Sequence, residues 1–223
     1  MKGTIYCILL GMIITGCAKH QTPITKKEQM MLLSKAEEIK IGDKEYKRLM
    51  SCTILCKDAE KVEALNRVGK RLIAQVNNSH VKNWEFILVE KESVNAGCLP
   101  NGKIFVNKGV FRVAKNDDQL ATVLAHEMSH ALARHANKRF SRTSILALAN
   151  DEIAILNRLQ EKEADEIGLE LMKKAGFKLD ESVAFWENMK EINKHKGHSH
   201  THTHMSYDQR IKDLEKVIAR LEK

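Results

Sequence analysis

The segment His126-Glu127-Met128-Ser129-His130 carries three side chains whose types and spacing suit metal-assisted hydrolysis. Four residues make slightly more than one helical turn, so on a helix both histidines face the same way and can bind one zinc ion. Glu127 lies beside them and can take a proton from water as a general base. Because this five-residue pattern also occurs by chance, the surrounding sequence has to supply the rest of the site.

A third protein ligand is needed for catalysis, because catalytic zinc has three protein ligands and an open fourth position. Glu161 and Asp165 lie on one helical stripe with the small residues Ala164 and Gly168, which permit close packing against the histidine-bearing helix. Glu161 is therefore predicted to bind the zinc ion. Asp165 is predicted to accept a hydrogen bond from a ligand imidazole.

The helices and strands that must position these residues follow from hydrophobic periodicity. A helix is predicted over residues 117–136, with Asn116 as its N-cap and Gln119 as the matching residue of a capping-box-like pair. Its apolar face consists of Leu120, Val123, Leu124, Met128, Ala131 and Leu132. Other helices are predicted over residues 26–50, 58–76, 139–157, 158–175, 180–194 and 206–222. Strands are predicted over 84–89, 94–99 and 104–106, with a turn at Pro100-Asn101-Gly102.

Several other polar residues are expected to lie away from the metal. Glu163 is about 200° round the helix from Glu161, so it is predicted to face solvent, as is Glu166. His135 is expected to be structural. His20 and His80 are expected at the surface.

Three segments together resemble the zinc endopeptidase family that includes the CAAX prenyl endopeptidase, the HtpX-like and Oma-type proteases, and periplasmic lipoproteins of the LoiP and BepA types. Residues 95–106 are similar to the N-A-x-x-L-P-x-G-x-I-F-V run of that family. Residues 120–136 end in Ala-Arg-His-Ala as the family helix often does, and residues 161–165 match E-x-x-A-D. The combination is highly specific and lies within residues 60–175.

The resemblance implies a mostly α fold with a small β-sheet, an α+β domain of the zincin-like (gluzincin) type with the H-E-x-x-H helix at its core. It implies one Zn²⁺ per chain, with Glu161 as third ligand beside His126 and His130. A weaker match lies near the C-terminus, where the family often has T-H-P followed by an arginine six residues after the histidine. Here His204 is followed by Met205, and Arg210 stands at the matching distance. The resemblance implies that His204 approaches the active site, where it stabilises the oxyanion or contacts the metal.

These features predict a zinc-dependent metalloendopeptidase that cleaves unfolded or misfolded envelope proteins in periplasmic quality control. An extended substrate is expected to add a strand beside residues 94–98, contacting Asn95, Ala96, Gly97 and Cys98. The alternative is a chaperone or assembly factor for outer-membrane proteins with latent protease activity. The histidine-rich run at residues 195–204 leaves metal storage as a further alternative.

The N-terminus resembles a bacterial export signal. Met1-Lys2 precedes an apolar stretch that is too short to span a bilayer, and residues 14–17, Ile-Thr-Gly-Cys, resemble a bacterial lipoprotein cleavage site. We expect a signal peptide at residues 1–16, a lipid-anchored tether at 17–27 that begins with an acylated Cys17, and a single zinc metallopeptidase domain at 28–223. Because Ala18 is not aspartate, known sorting signals suggest the periplasmic face of the outer membrane of a Gram-negative bacterium.

Composition bears on partners and on cysteine pairing. The formal charge is +8, but the lysines alternate with glutamates along helices, which indicates solvated faces, and no nucleic-acid-binding motif is present. No nucleic acid partner is therefore expected.

Cys52, Cys56 and Cys98 leave an odd number of cysteines in an oxidising compartment. Either of the first two can pair with Cys98, or all three can be small buried residues.

Overall fold

The computed structural model describes residues 18–21, 28–77, 79–146, 150–194 and 206–223. Its helices are α1 (Lys35–Met50), α2 (Ala59–Ile73), α3 (Asp117–Leu132), α4 (His135–Leu146), α5 (Asn150–Lys174), α6 (Asp180–Lys194) and α7 (Tyr207–Leu221). Its strands are β1 (Ala18–Gln21), β2 (Glu28–Met31), β3 (Glu85–Val89), β4 (Ala96–Cys98) and β5 (Lys103–Asn107). The prediction of a mostly helical α+β fold with a small sheet is confirmed.

The sheet beside the helices has the strand order β3-β5-β4. β3 runs parallel to β5, whereas β4 runs antiparallel to it through the predicted turn at residues 100–102. Gly102 in that turn has φ +83°, a left-handed conformation that glycine adopts without steric cost. Within the described residues β4 forms one edge of this sheet.

Helices α3 and α5 pack against each other at the centre of the molecule. Ala164 is fully buried, and a Cβ added at Gly168 would lie 3.3 Å from the backbone of Ala125 and His126. The absence of side-chain bulk therefore lets the two helix backbones approach closely. The surrounding core contains Leu120, Leu124, Met128, Ile167, Leu169 and Met172.

The N-terminus of α3 is capped largely as the sequence predicts. The side chain of Asn116 accepts a hydrogen bond from the backbone N–H of Gln119, at 2.8 Å. The side chain of Gln119 accepts from the backbone N–H of Lys115 at 2.9 Å rather than from that of Asn116. One backbone donor in the first turn of the helix and one ahead of it are thereby satisfied.

The predicted C-terminal end of this helix is wrong. α3 ends at Leu132, and Arg134 has φ +56°, which interrupts the helix that was predicted to continue to residue 136. The Arg134 guanidinium lies 2.7 Å from the carboxylate of Glu38 and donates to the carbonyl of Leu33. These long-range partners hold Arg134 in a conformation that non-glycine residues rarely adopt, and α4 then starts in a new direction.

Three other predictions also differ from the structure. α1 begins at Lys35 rather than near residue 26, because Ser34 and Glu37 form a capping box. Residues 18–21, predicted to belong to the tether, pair in antiparallel fashion with residues 28–31. α5 runs unbroken through residues 157 and 158, where a boundary between two helices was predicted; neither position is glycine or proline. Among the described residues, no helix combines the length and apolar character needed to cross a bilayer.

The contact at Gly168 predicts the effect of added bulk between the two central helices. Gly168→Val should lower the free energy of unfolding by about 1–3 kcal/mol, because the new side chain must push α5 away from the α3 backbone. Chemical denaturation of the metal-free protein measures this. Gly97→Ala is the control, since its new Cβ would have nothing within 4 Å. Equal stability of both variants would contradict the close packing.

Candidate metal centre

Side chains of α3 and α5 bring three candidate ligand atoms together, those of His126, His130 and Glu161. The two histidine Nε2 atoms lie 3.0 Å apart. The Glu161 carboxylate oxygens lie 3.3 Å from the His126 Nε2 atom and 3.5 Å from the His130 Nε2 atom. Ligands held tetrahedrally about 2.0–2.1 Å from zinc are about 3.3 Å apart, so the nitrogen, nitrogen and oxygen donors fit one zinc ion.

The three donors lie in a cleft with a volume of about 700 Å³. α3 and α5 form its base, and β4, α6 and α7 contribute to its walls through residues such as Ala96, Trp186 and Arg210. The donors lie at the accessible side of the α3–α5 contact. A zinc ion held by these donors would be accessible from the cleft to water or substrate.

Asp165 orients the first histidine. Its carboxylate lies 2.8 Å from Nδ1 of His126, which fixes the proton on that nitrogen and leaves Nε2 free to bind a metal. Burial would raise the pKa of Asp165, but the guanidinium of Arg210 and the imidazole of His126 hold it below its usual range. Burial and Arg210 lower the pKa of His126, but the carboxylates of Asp165 and Glu161 raise it to about 10. The acidic groups therefore favour positive charge at this point, which a metal ion supplies.

Arg210 is a residue of the centre that sequence reasoning did not include in the site. Its guanidinium donates to Asp165 at 2.6 Å, lies 3.4 Å from Glu161, and stacks 3.9 Å from the centre of the Trp186 ring. The arginine therefore neutralises two partly buried carboxylates at once. The one sequence signal for it was its distance from His204 in the weak C-terminal match.

Glu127 lies in the same cleft, beside the edge strand. Burial raises the pKa of its carboxyl group, and the backbone N–H of Cys98 donates a hydrogen bond to it. A raised pKa brings a carboxylate closer to neutral pH, where it is a more effective proton acceptor. The placement suits the general base that the sequence predicts.

The edge of β4 presents backbone groups to the cleft. Leu99 donates to Lys103 at 2.9 Å, and Asn107 donates to Asn95 at 3.0 Å. In an antiparallel pair the alternate residues then point their N–H and C=O groups away from the partner strand. The residues in question are Ala96 and Cys98. The N–H of Cys98 already donates to Glu127, so an extended peptide can pair with the backbone groups of Ala96 and with the carbonyl of Cys98.

Two predictions for polar residues are wrong. Glu163 is 3% exposed rather than solvent-facing, because its carboxylate contacts His135 and Lys138 from the helix that follows the break at Arg134. His80 is not a surface residue, since its side chain is 6% exposed and lies 3.8 Å from the Glu38 carboxylate. His135, predicted to be structural, is buried.

The remaining predictions concern the cysteines, His204 and Glu166. Cys52, Cys56 and Cys98 are free thiols, so the suggested pairing with Cys98 is absent. Cys17 and His204 lie outside the described residues, and their roles stay predictions. Glu166 is partly exposed and pairs with Arg220 at the surface.

The model of Peptidase family M48 matches residues 59–153 and 143–218 of this chain. The mitochondrial metalloendopeptidase OMA1 of Schizosaccharomyces pombe is 35% identical over 173 residues, covering 68% of this chain and 51% of that protein. The Saccharomyces cerevisiae protein of the same name is 29% identical, covering 83% of this chain and 65% of that protein. The beta-barrel assembly-enhancing protease of Escherichia coli is 24% identical, covering 70% of this chain and 38% of that protein. The chain thus spans roughly half the length of these relatives.

The contact between Asp165 and His126 predicts an effect on metal affinity. Asp165→Asn should weaken zinc binding by about 10- to 100-fold, because an amide orients the imidazole less strongly and leaves Arg210 without its carboxylate. Competition with a chromophoric chelator measures the affinity. Glu166→Gln on the same helix is the control and should bind zinc as the wild type does. Unchanged affinity in Asp165→Asn would show that His126 does not need this partner.

Proposed function

The chain belongs to peptidase family M48, and we propose on that basis that it is a zinc-dependent metalloendopeptidase. The observation that carries the proposal is the convergence of the His126, His130 and Glu161 donor atoms in an accessible cleft, with Glu127 beside them. The donor distances suit zinc, and the three donors line the cleft in which a substrate carbonyl would bind.

Zinc bound at this centre would polarise a peptide carbonyl and acidify water. Glu127 would take the proton from the attacking water and deliver it to the leaving amine nitrogen. Its raised pKa suits both steps, since the group must accept the proton and then give it up. His126, His130 and Glu161 would hold the metal, and Arg210 would keep Asp165 and Glu161 ionised.

The proposed substrates are unfolded or misfolded proteins of the cell envelope. The outer edge of β4 supports this, because Ala96 and the carbonyl of Cys98 can form backbone hydrogen bonds with a peptide only when it is extended. Backbone hydrogen bonds also depend little on the identity of the substrate side chains. This suits quality control, in which many different misfolded proteins must be cleaved. The assembly-enhancing protease among the relatives supports an envelope role, with a chaperone function as the alternative.

Replacing the general base tests the hydrolytic function. Glu127→Gln should lower the cleavage rate of a fluorescently labelled unfolded protein by at least about 100-fold, because the amide cannot accept the proton of water. The variant should still contain one zinc per chain by atomic absorption. Glu166→Gln, a carboxylate paired at the surface, should cleave normally.

The outcomes of this experiment separate the two functions. Wild-type cleavage by Glu127→Gln would overturn the proposed mechanism. If neither protein cleaves the substrate but both suppress its aggregation, the chaperone alternative is correct.

We also propose that the protein is lipid-anchored in the envelope through Cys17, on the strength of the residues around it. Cys17→Ser should abolish incorporation of radiolabelled palmitate in a Gram-negative host, because the thiol expected to be acylated is missing, and should release the protein from the membrane fraction. Cys7→Ser is the control, since Cys7 lies in the segment expected to be removed. Palmitate labelling of the Cys17→Ser protein would contradict the anchor.

A further inference from the structure

A chain of buried polar side chains starts at Nδ1 of His130, on the opposite side of that ring from the Nε2 atom that faces His126. Nδ1 of His135 lies 2.9 Å from Nδ1 of His130. Nε2 of His135 lies 3.4 Å from the carboxylate of Glu163, which in turn lies 3.2 Å from the ammonium group of Lys138. His135 and Glu163 are 1% and 3% exposed, so their interactions are made within the protein.

The break at Arg134 creates this arrangement. Five residues along a continuous helix rotate by about 500°, which would leave His135 about 140° away from His130 and facing elsewhere. The left-handed backbone of Arg134 instead ends α3 and brings the His135 ring to 4.9 Å from the His130 ring, centre to centre. An uncommon backbone conformation at a non-glycine residue thus delivers a second imidazole to a candidate metal ligand.

The position of one proton on each ring follows from metal binding. A histidine binds a metal through an unprotonated nitrogen, and His130 directs Nε2 at Glu161 and His126. Its Nδ1 must therefore carry the proton and donate it to Nδ1 of His135. A neutral His135 that accepts at Nδ1 carries its own proton on Nε2, where it faces the Glu163 carboxylate.

The opposite tautomer of His135 would be incompatible with the metal. A proton on Nδ1 of His135 would point at Nδ1 of His130 and drive the His130 proton onto Nε2, which is the metal-binding atom. The Glu163 carboxylate accepts hydrogen bonds but cannot donate them when ionised, so it selects the productive tautomer. Lys138 balances its charge in the interior.

We propose that His135 and Glu163 are positioning residues that hold His130 in its zinc-binding tautomer. The inference rests on the proposed function, in which His130 is a zinc ligand. α5 then serves both histidines of α3: Asp165 orients His126 directly, and Glu163 orients His130 through His135. The same helix provides the third ligand, Glu161.

The test is a double-mutant cycle read out as zinc affinity. His135→Phe keeps an aromatic ring but removes the acceptor, and Glu163→Leu removes the carboxylate. We expect each single variant to weaken zinc binding about 10- to 100-fold in a chelator competition. Because the two residues act in series, the double variant should be no weaker than His135→Phe alone.

Controls separate positioning from loss of structure. Glu166→Leu, on the same helix and paired at the surface with Arg220, should bind zinc as the wild type does. Glu163→Gln keeps the shape of the side chain and should give an intermediate loss, since an amide can present either a donor or an acceptor to His135. Metal-free variants are compared by circular dichroism, and the visible spectrum of the Co²⁺-substituted protein reports the ligand geometry at the metal.

The outcomes also distinguish this inference from the proposed function. Wild-type zinc affinity in His135→Phe and Glu163→Gln, or losses that add in the double variant, would overturn the positioning role while leaving the peptidase proposal intact. A wild-type protein that binds no zinc would overturn both.

Discussion

The close contact between α3 and α5 is the constraint on which the rest of the site depends. Gly168 and Ala164 remove the bulk that would hold the two backbones apart, and they lie on the same stripe of α5 as Glu161 and Asp165. Small residues and acids on one stripe bring carboxylates into contact with the histidines of the facing helix. The metal centre is thus a consequence of helix packing, with its ligands on rigid elements rather than on loops.

Burial of this acidic cluster would destabilise the folded protein unless positive charge compensated it. Glu127, Glu161 and Asp165 all lie in one cleft, where isolated carboxylates would be poorly solvated. Arg210 neutralises part of the charge from α7, and its stacking on Trp186 keeps the guanidinium in place. The pKa of His126 is nevertheless raised, because the negative charge of Asp165 and Glu161 still favours a cation between the helices. A divalent ion at the three donor atoms satisfies that requirement.

The parts of the site that depend on local spacing could be predicted from the sequence. His126, His130, Glu161 and Asp165 follow from helical periodicity and from the small residues beside the acids, since each helix presents one face to the other. The burial of Glu163 could not be predicted in this way, because its position on α5 does not indicate which other helix covers it. Its partners come from α4, whose direction depends on the left-handed Arg134. The contacts of Arg210 could not be predicted from local spacing either, since α7 packs onto the site from a distant part of the chain.

The conformation of Arg134 itself is held by residues near the N-terminus. Its guanidinium contacts Glu38 and the carbonyl of Leu33, and Asn137 at the start of α4 donates to the same carbonyl. Met31 just before this segment is fully buried, and the backbone N–H of Leu32 donates to Ser141 of α4 at 2.8 Å. The segment between β2 and α1 therefore clamps the beginning of α4, and through Arg134 it sets the direction in which His135 faces. The metal centre accordingly depends on residues about 100 positions away from Arg134 and Asn137 in the chain, because the long-range hydrogen bonds of the clamp are what make the local helix break favourable.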